Sequence, residues 1–121
     1  MIGIGVDVVD IERFRRSLER TPTMRTRLFT ESELHDLAAR ADQVPGLAAR
    51  FAAREAVMKS LGLGLGAFGF HDVWVERAES GAPSLAVTGP AKQLADAAGV
   101  ARWHLSLTHS DLVAVAYVIA E

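Results

Sequence analysis

The chain has 121 residues, half of them hydrophobic, with a formal net charge of −2 and no cysteine. That length predicts one domain over residues 1–121, large enough for a real core and too short for two. The charge balance leaves no overall electrostatic footprint for nucleic acid, and the lack of thiols excludes disulfides and cysteine chemistry, which suits a reducing compartment.

The N-terminal stretch MIGIGVDVVDIERF lacks a basic n-region and places acids at Asp7 and Asp10, against a signal peptide. Ile2, Ile4, Val6 and Val8 alternate and so share one face of a strand; Gly3, Gly5 and Asp7 share the other. A carboxylate inside an apolar strand is costly unless something pairs with it, so Asp7 requires a partner. Asp10 has a simpler role, because it precedes IERFRRSLER and Asp is a favoured N-cap. In that helix Ile11, Phe14 and Leu18 form the apolar stripe, while Arg13, Arg16 and Arg20 line up on another side. The segment from Arg13 to Arg27 holds six arginines against one acid, Glu19.

Thr30 followed by Glu33 reads as a capping box, and Leu34, Leu37, Ala38 and Ala41 continue its helix. Pro45 restarts the chain into GLAARFAAREAVMKSLG, a helix with Gly62 as its C′ residue. At about 100° per residue, Leu47, Phe51 and Met58 fall on one side of this helix, and Glu55 falls in the middle of that apolar arc with Lys59 one turn on. A Glu–Lys pair at this spacing often only stabilises a helix. Here its phase sets it away from the solvated face. Two inward carboxylates, Asp7 and Glu55, would instead suit a hard divalent cation: Mg²⁺ takes one or two carboxylates and leaves its other positions to water and phosphate. A lysine beside it would then meet an anionic ligand.

The glycine-rich GLGLGAFG after this helix is neither a dinucleotide fingerprint nor a P-loop. It is a tight turn or a backbone that must approach a ligand closely. DVWVER and SLAVTG read as a hairpin, and PAKQLADAAG as a short helix with Pro90 at its first position and Gly99 beyond its end. RWHLSLTHS and LVAVAYVIA close the chain as strands around Ser110 and Asp111. The last run is about half the length needed to span a bilayer. A cytoplasmic protein is expected, and its rich apolar content suggests surface covered by a partner subunit. SLTHSD clusters hydroxyls, an imidazole and a carboxylate, but closeness in sequence is poor evidence for a triad. The expected fold is α+β, an antiparallel sheet with helices packed on one side.

Three stretches together resemble one family, the 4′-phosphopantetheinyl transferases, in order and over nearly the whole chain. GVDVVDIER matches its Gly-x-Asp with an Arg six residues beyond the Asp. RFAAREAVMKSLG is similar to its Phe/Trp-Ala-x-Lys-Glu-Ala-x-x-Lys-x-x-Gly signature, and SLTHSDLVAVAYV to its closing Ser-x-(Ser/Thr)-His strand pair. The length and the N-terminal first motif resemble the family's short members, which are trimers with active sites at subunit interfaces. The resemblance implies an Mg²⁺-dependent enzyme that moves the phosphopantetheine arm of coenzyme A onto a serine of an apo acyl carrier protein, releasing adenosine 3′,5′-bisphosphate. It implies that Asp7 and Glu55 bind the metal, so that a metal and not a side chain is the partner Asp7 requires. It also implies that Lys59 contacts the pyrophosphate, that Gly62 lies near the nucleotide, and that Thr108, His109 and Arg50 meet the 3′-phosphate end. Glu55, Asp111 or a metal-bound water would be the base for the carrier serine, and Arg13, Arg16 and Arg20 would dock the acidic carrier. Arg54 stands where the family signature has Lys, and no contact is assigned to it. The rival reading is a non-catalytic carrier-protein or nucleotide binding module of the same fold.

Overall fold

The computed structural model describes residues Met1–Glu121. Strand β1 (Gly3–Asp10) runs directly into helix α1 (Ile11–Arg20), and the Asp10 carboxylate accepts from the Arg13 N–H at 2.8 Å, the expected cap. A five-residue helix, α2 (Met24–Leu28), follows. It is too short for a helical period to mark it in sequence. Helix α3 (Glu31–Leu37) opens on the expected capping box between Thr30 and Glu33. It ends at Leu37 and does not continue to Ala41. The cause is downstream: Gln43 Nε2 donates to the Ala38 carbonyl, and Asp42 accepts from the Val44 N–H while holding Arg15, which draws the chain into a turn.

Helix α4 (Val44–Ser60) is the centre of the molecule. Gly62, at φ +71°, terminates it as expected. The N–H groups of Gly62 and Leu63 close back on the carbonyls of Lys59 and Met58, the two bonds of a Schellman cap. A 3₁₀ turn (Phe70–Asp72) leads to the hairpin β2 (Val73–Arg77) and β3 (Pro83–Val87), then to α5 (Gly89–Ala97), β4 (Trp103–His109) and β5 (Val113–Ala120).

The strands form two antiparallel ladders, a three-stranded sheet in the order β1-β5-β4 and the β2-β3 hairpin, with β3 lying beside β4. Helix α4 crosses the face of the larger sheet that carries Gly3, Gly5, Ala114, Ala116 and Ala120. A β-carbon on Gly3 would lie 1.8 Å from the Ser60 carbonyl oxygen, and one on Gly5 1.9 Å from that of Ala56. Strand and helix therefore meet backbone to backbone, which only glycine permits. Two apolar clusters flank the helix, one around Phe14, Phe29, Leu37 and Leu47, the other around Val57, Met58, Val73 and Val118. The apolar side of β1 is not the buried one: Ile2, Ile4, Val6 and Val8 face outward, each 45–59% exposed, with Tyr117 among them. No helix is long and apolar enough to cross a membrane.

Candidate functional site

Asp7 emerges on the helix-facing side of β1, two residues beyond the point where Gly5 touches α4, and it meets the open stripe of that helix. Thirteen of the seventeen residues of α4 are buried. Phe51, Glu55 and Lys59, spaced by four, are among the few that are not. The expectation that Glu55 and Lys59 lie away from the solvated side is thus overturned. Because almost every position of this alanine-rich helix is small or apolar, hydrophobic phase could not single out its one open side.

Lys59 Nζ donates to Asp7 Oδ1 at 2.9 Å and to the Val6 carbonyl at 3.2 Å. Asp7 is 16% exposed and Lys59 53%. Asp7 therefore has a side-chain partner, Lys59, where the sequence reading expected none. Lys59 reached past its i−4 neighbour because β1 brings the strand carboxylate closer to its tip. Glu55 is left without a hydrogen-bond donor. Burial pushes its carboxyl above the ordinary glutamate value, the Asp7 charge adds to the rise, and Lys59 opposes it.

Asp7 and Glu55 form the floor of a groove of about 480 Å³, walled by Val8, Val9, Phe14, Met24 and Phe51 and reached by Arg13 at its rim. Arg13, Arg16 and Arg20 are all exposed, and none forms an ion pair. The neighbouring Arg15 is held by Asp42 and Glu12, so the three-residue stripe is the unoccupied part of this basic helix.

Other candidates do not converge here. Thr108 and His109 lie at the end of β4, on the far edge of the sheet from β1. Register places His109 level with Ala114 and Val9, so it stands about 10 Å from β1 across two strand spacings, with β5 between. Thr108 faces the opposite side of the sheet, and Asp111 sits exposed in the turn after β4. Gly62 closes α4 one turn beyond Lys59. Arg50 lies about 140° round the helix from Glu55 and is 2% exposed. Its Nη1 donates to the Gly46 carbonyl at 3.3 Å, while Nε and Nη2 have no partner. Burial lowers its pKa; Glu33 and Asp36 oppose that shift, and Arg77 and Arg40 add to it.

Sequence reasoning missed a further ionic centre. Glu33, read only as a capping residue, is wholly buried against Arg54, whose Nη1 reaches Glu33 Oε2 at 2.9 Å and whose Nη2 reaches Oε1. The available signal was an arginine following two alanines on a helix with almost no polar side. Its partner was hidden because a capping box already accounted for Glu33.

The family model described as the 4′-phosphopantetheinyl transferase superfamily matches residues 3–118. A relative from Micrococcus luteus named holo-[acyl-carrier-protein] synthase is 49% identical over 123 residues, covering all of this chain and 92% of the relative. The crystal structure of holo-[acyl-carrier-protein] synthase from Neisseria meningitidis superposes with a TM-score of 0.90 at 29% identity, covering 100% of this chain and 98% of that one. A Bacillus anthracis holo-(acyl-carrier-protein) synthase, solved in complex with CoA (3′,5′-ADP), gives a TM-score of 0.82 at 30% identity, covering 99% and 96%. The strand carboxylate, the helix carboxylate and the lysine one turn on thus stand in a chain whose sequence and fold match the same group of proteins along their length. The chain belongs to the 4′-phosphopantetheinyl transferase superfamily.

Proposed function

We propose that this chain is a holo-[acyl-carrier-protein] synthase, transferring the 4′-phosphopantetheine arm of coenzyme A to a serine of apo acyl carrier protein and releasing adenosine 3′,5′-bisphosphate. The observation that carries this reading is the meeting of Asp7 and Glu55 in one groove, with Lys59 paired to Asp7 beside them, within a chain of this family.

The donor set fits Mg²⁺. Glu55 has no protein donor and is pushed toward its neutral form by burial and by Asp7, a like-charge conflict that a cation between the two carboxylates would relieve. Two carboxylates are also the number Mg²⁺ commonly uses. Asp7 and Glu55 would hold the ion. When bound, it would polarise the diphosphate and stabilise the charge on the leaving oxygen. Lys59, already poised at Asp7, is exposed enough to swing its ammonium onto the pyrophosphate and neutralise it. Glu55 lies in the groove and Asp111 does not, which favours Glu55 to take the proton of the carrier serine.

Arg13 at the groove, with Arg16 and Arg20 further along the same helix, offers three unpaired guanidinium groups, a complement to an acidic carrier surface that would also steer its approach. The outward apolar side of β1 and Tyr117 support assembly as a homotrimer, since a contiguous apolar sheet face in water calls for a cover. In such an assembly Thr108 and His109 of one copy, with Gly62, would meet the nucleotide end of coenzyme A bound at the carboxylates of another, while Arg50, buried inside the fold, would not reach it.

Intact mass spectrometry of apo acyl carrier protein, incubated with this protein and coenzyme A with Mg²⁺ or with EDTA, tests the reading. A mass gain of one phosphopantetheine only with the metal is expected. No gain on several carriers would leave a binding module.

A further inference from the structure

The Glu33–Arg54 centre lies outside the groove and takes no part in the chemistry above. Both side chains are fully buried. Glu33 accepts from the Thr30 N–H at 3.0 Å, the Val75 N–H at 3.1 Å and both terminal nitrogens of Arg54. Arg54 Nε donates to the Phe70 carbonyl at 2.8 Å, and its guanidinium lies over the Phe29 ring with 5.3 Å to the centroid. One ion pair thus ties α4 to the start of α3, to β2 and to the 3₁₀ turn.

Such a pair is a poor way to gain stability, because well-packed apolar residues of similar volume often do as well or better. What it supplies is direction: a planar fork with fixed donor angles is satisfied in only one rotation and one axial position of its helix. Helix α4 needs that constraint. Its contact with the sheet is built from Gly3, Gly5, Ala116, Ala52 and Ala56, small residues that set how closely the two backbones approach but offer few knobs to stop a helix turning or sliding. Glu55 is the residue after Arg54, so any turn of α4 that unseats the fork moves Glu55 relative to Asp7.

We propose that Glu33 and Arg54 are positioning residues, which fix the rotation of α4 so that Glu55 faces Asp7 at the geometry a divalent cation requires. The proposal rests on the reading of Asp7 and Glu55 as the cation site. Manganese titration of the protein alone, read by electron paramagnetic resonance, tests it beside thermal unfolding on three proteins: the wild type, Arg54→Lys, and the double variant Glu33→Leu/Arg54→Met. Arg54→Lys keeps the charge but leaves buried acceptors underused, so it should lose stability with a small loss of Mn²⁺ affinity. The apolar pair should unfold near the wild-type temperature yet bind Mn²⁺ about tenfold more weakly, as when an orienting partner of a metal ligand is removed. In the transfer reaction its kcat should fall with KM for the carrier unchanged.

Affinity that ranks opposite to stability is the expected result. Affinity that merely follows stability, or a folded apolar pair with wild-type affinity, would overturn the proposal. Should the apolar pair not fold, Arg54→Lys decides the matter: lost stability with wholly unchanged Mn²⁺ affinity would likewise overturn it. A wild type that binds no Mn²⁺ would overturn the cation reading and this inference with it, a result distinct from equal binding by all three.

Discussion

Two ionic centres flank helix α4 and use their carboxylates in opposite ways. On one side Glu33 is wholly buried and saturated, with bonds from two backbone N–H groups and a bidentate arginine. On the other, Asp7 holds one lysine, and Glu55 has no donor at all. A carboxylate with every lone pair occupied has nothing to offer a ligand, whereas one left short in a half-desolvated groove favours whatever cation arrives. Burial alone therefore does not identify a site; the number of unmet acceptors does.

If that contrast is correct, damage on the open side should strike activity and spare the fold. Asp7→Ala and Glu55→Gln are each expected to cut transfer about 10³-fold, the scale for losing a main electrostatic stabiliser, with circular dichroism unchanged; near-wild-type rates would erase the distinction between the two centres. On the saturated side the cost should fall on stability. Arg54→Met alone strands the Glu33 charge and is expected to lose about 3–5 kcal/mol, measured by denaturant unfolding.

A smaller effect should separate the unpaired arginines from the engaged ones. Replacing Arg13, Arg16 and Arg20 with glutamine is expected to raise KM for the carrier about tenfold at low salt and to flatten its salt dependence, whereas Arg15→Gln, which removes the partner of Asp42, should leave that KM alone.

The smallest effect concerns pH. Because the fold raises the pKa of Glu55, the folded protein holds that proton more tightly than the unfolded chain. Its contribution to stability is full below the unfolded value and is lost as pH rises through the folded one. Cation binding needs the carboxylate and runs the other way, weakening as pH falls through the raised value. Metal-free Glu55→Gln should accordingly lose less stability than the wild type between the acid range and neutrality, followed by thermal melts across pH.

What the sequence revealed was mostly local. The Asp10 cap, the Thr30–Glu33 box, the Gly62 terminus and the closing strand pair each depend on residues a few positions apart, and each formed. That Asp7 and Glu55 share a site, 48 positions apart in the sequence, came from resemblance, since no periodicity reports long-range contact. The open side of α4 was misjudged because thirteen buried positions leave almost no polar phase to read. Arg50 gave no hint of its burial, arginine being mostly a surface residue. Glu33 concealed its second role because one hydrogen-bonded motif had already explained it.

The two bare positions of β1 carry a last consequence. Because Gly3 and Gly5 let the strand rest on the carbonyls of Ser60 and Ala56, the gap between strand and helix is as narrow as two main chains allow. Asp7 is two residues along the same strand, so the span between the facing carboxylates is gauged by the thickness of peptide backbone and not by side chains that can repack. The arginine fork sets the angle of this device and the glycines set its width. In the proposed site, the spacing of the carboxylates is written in residues that have no side chain.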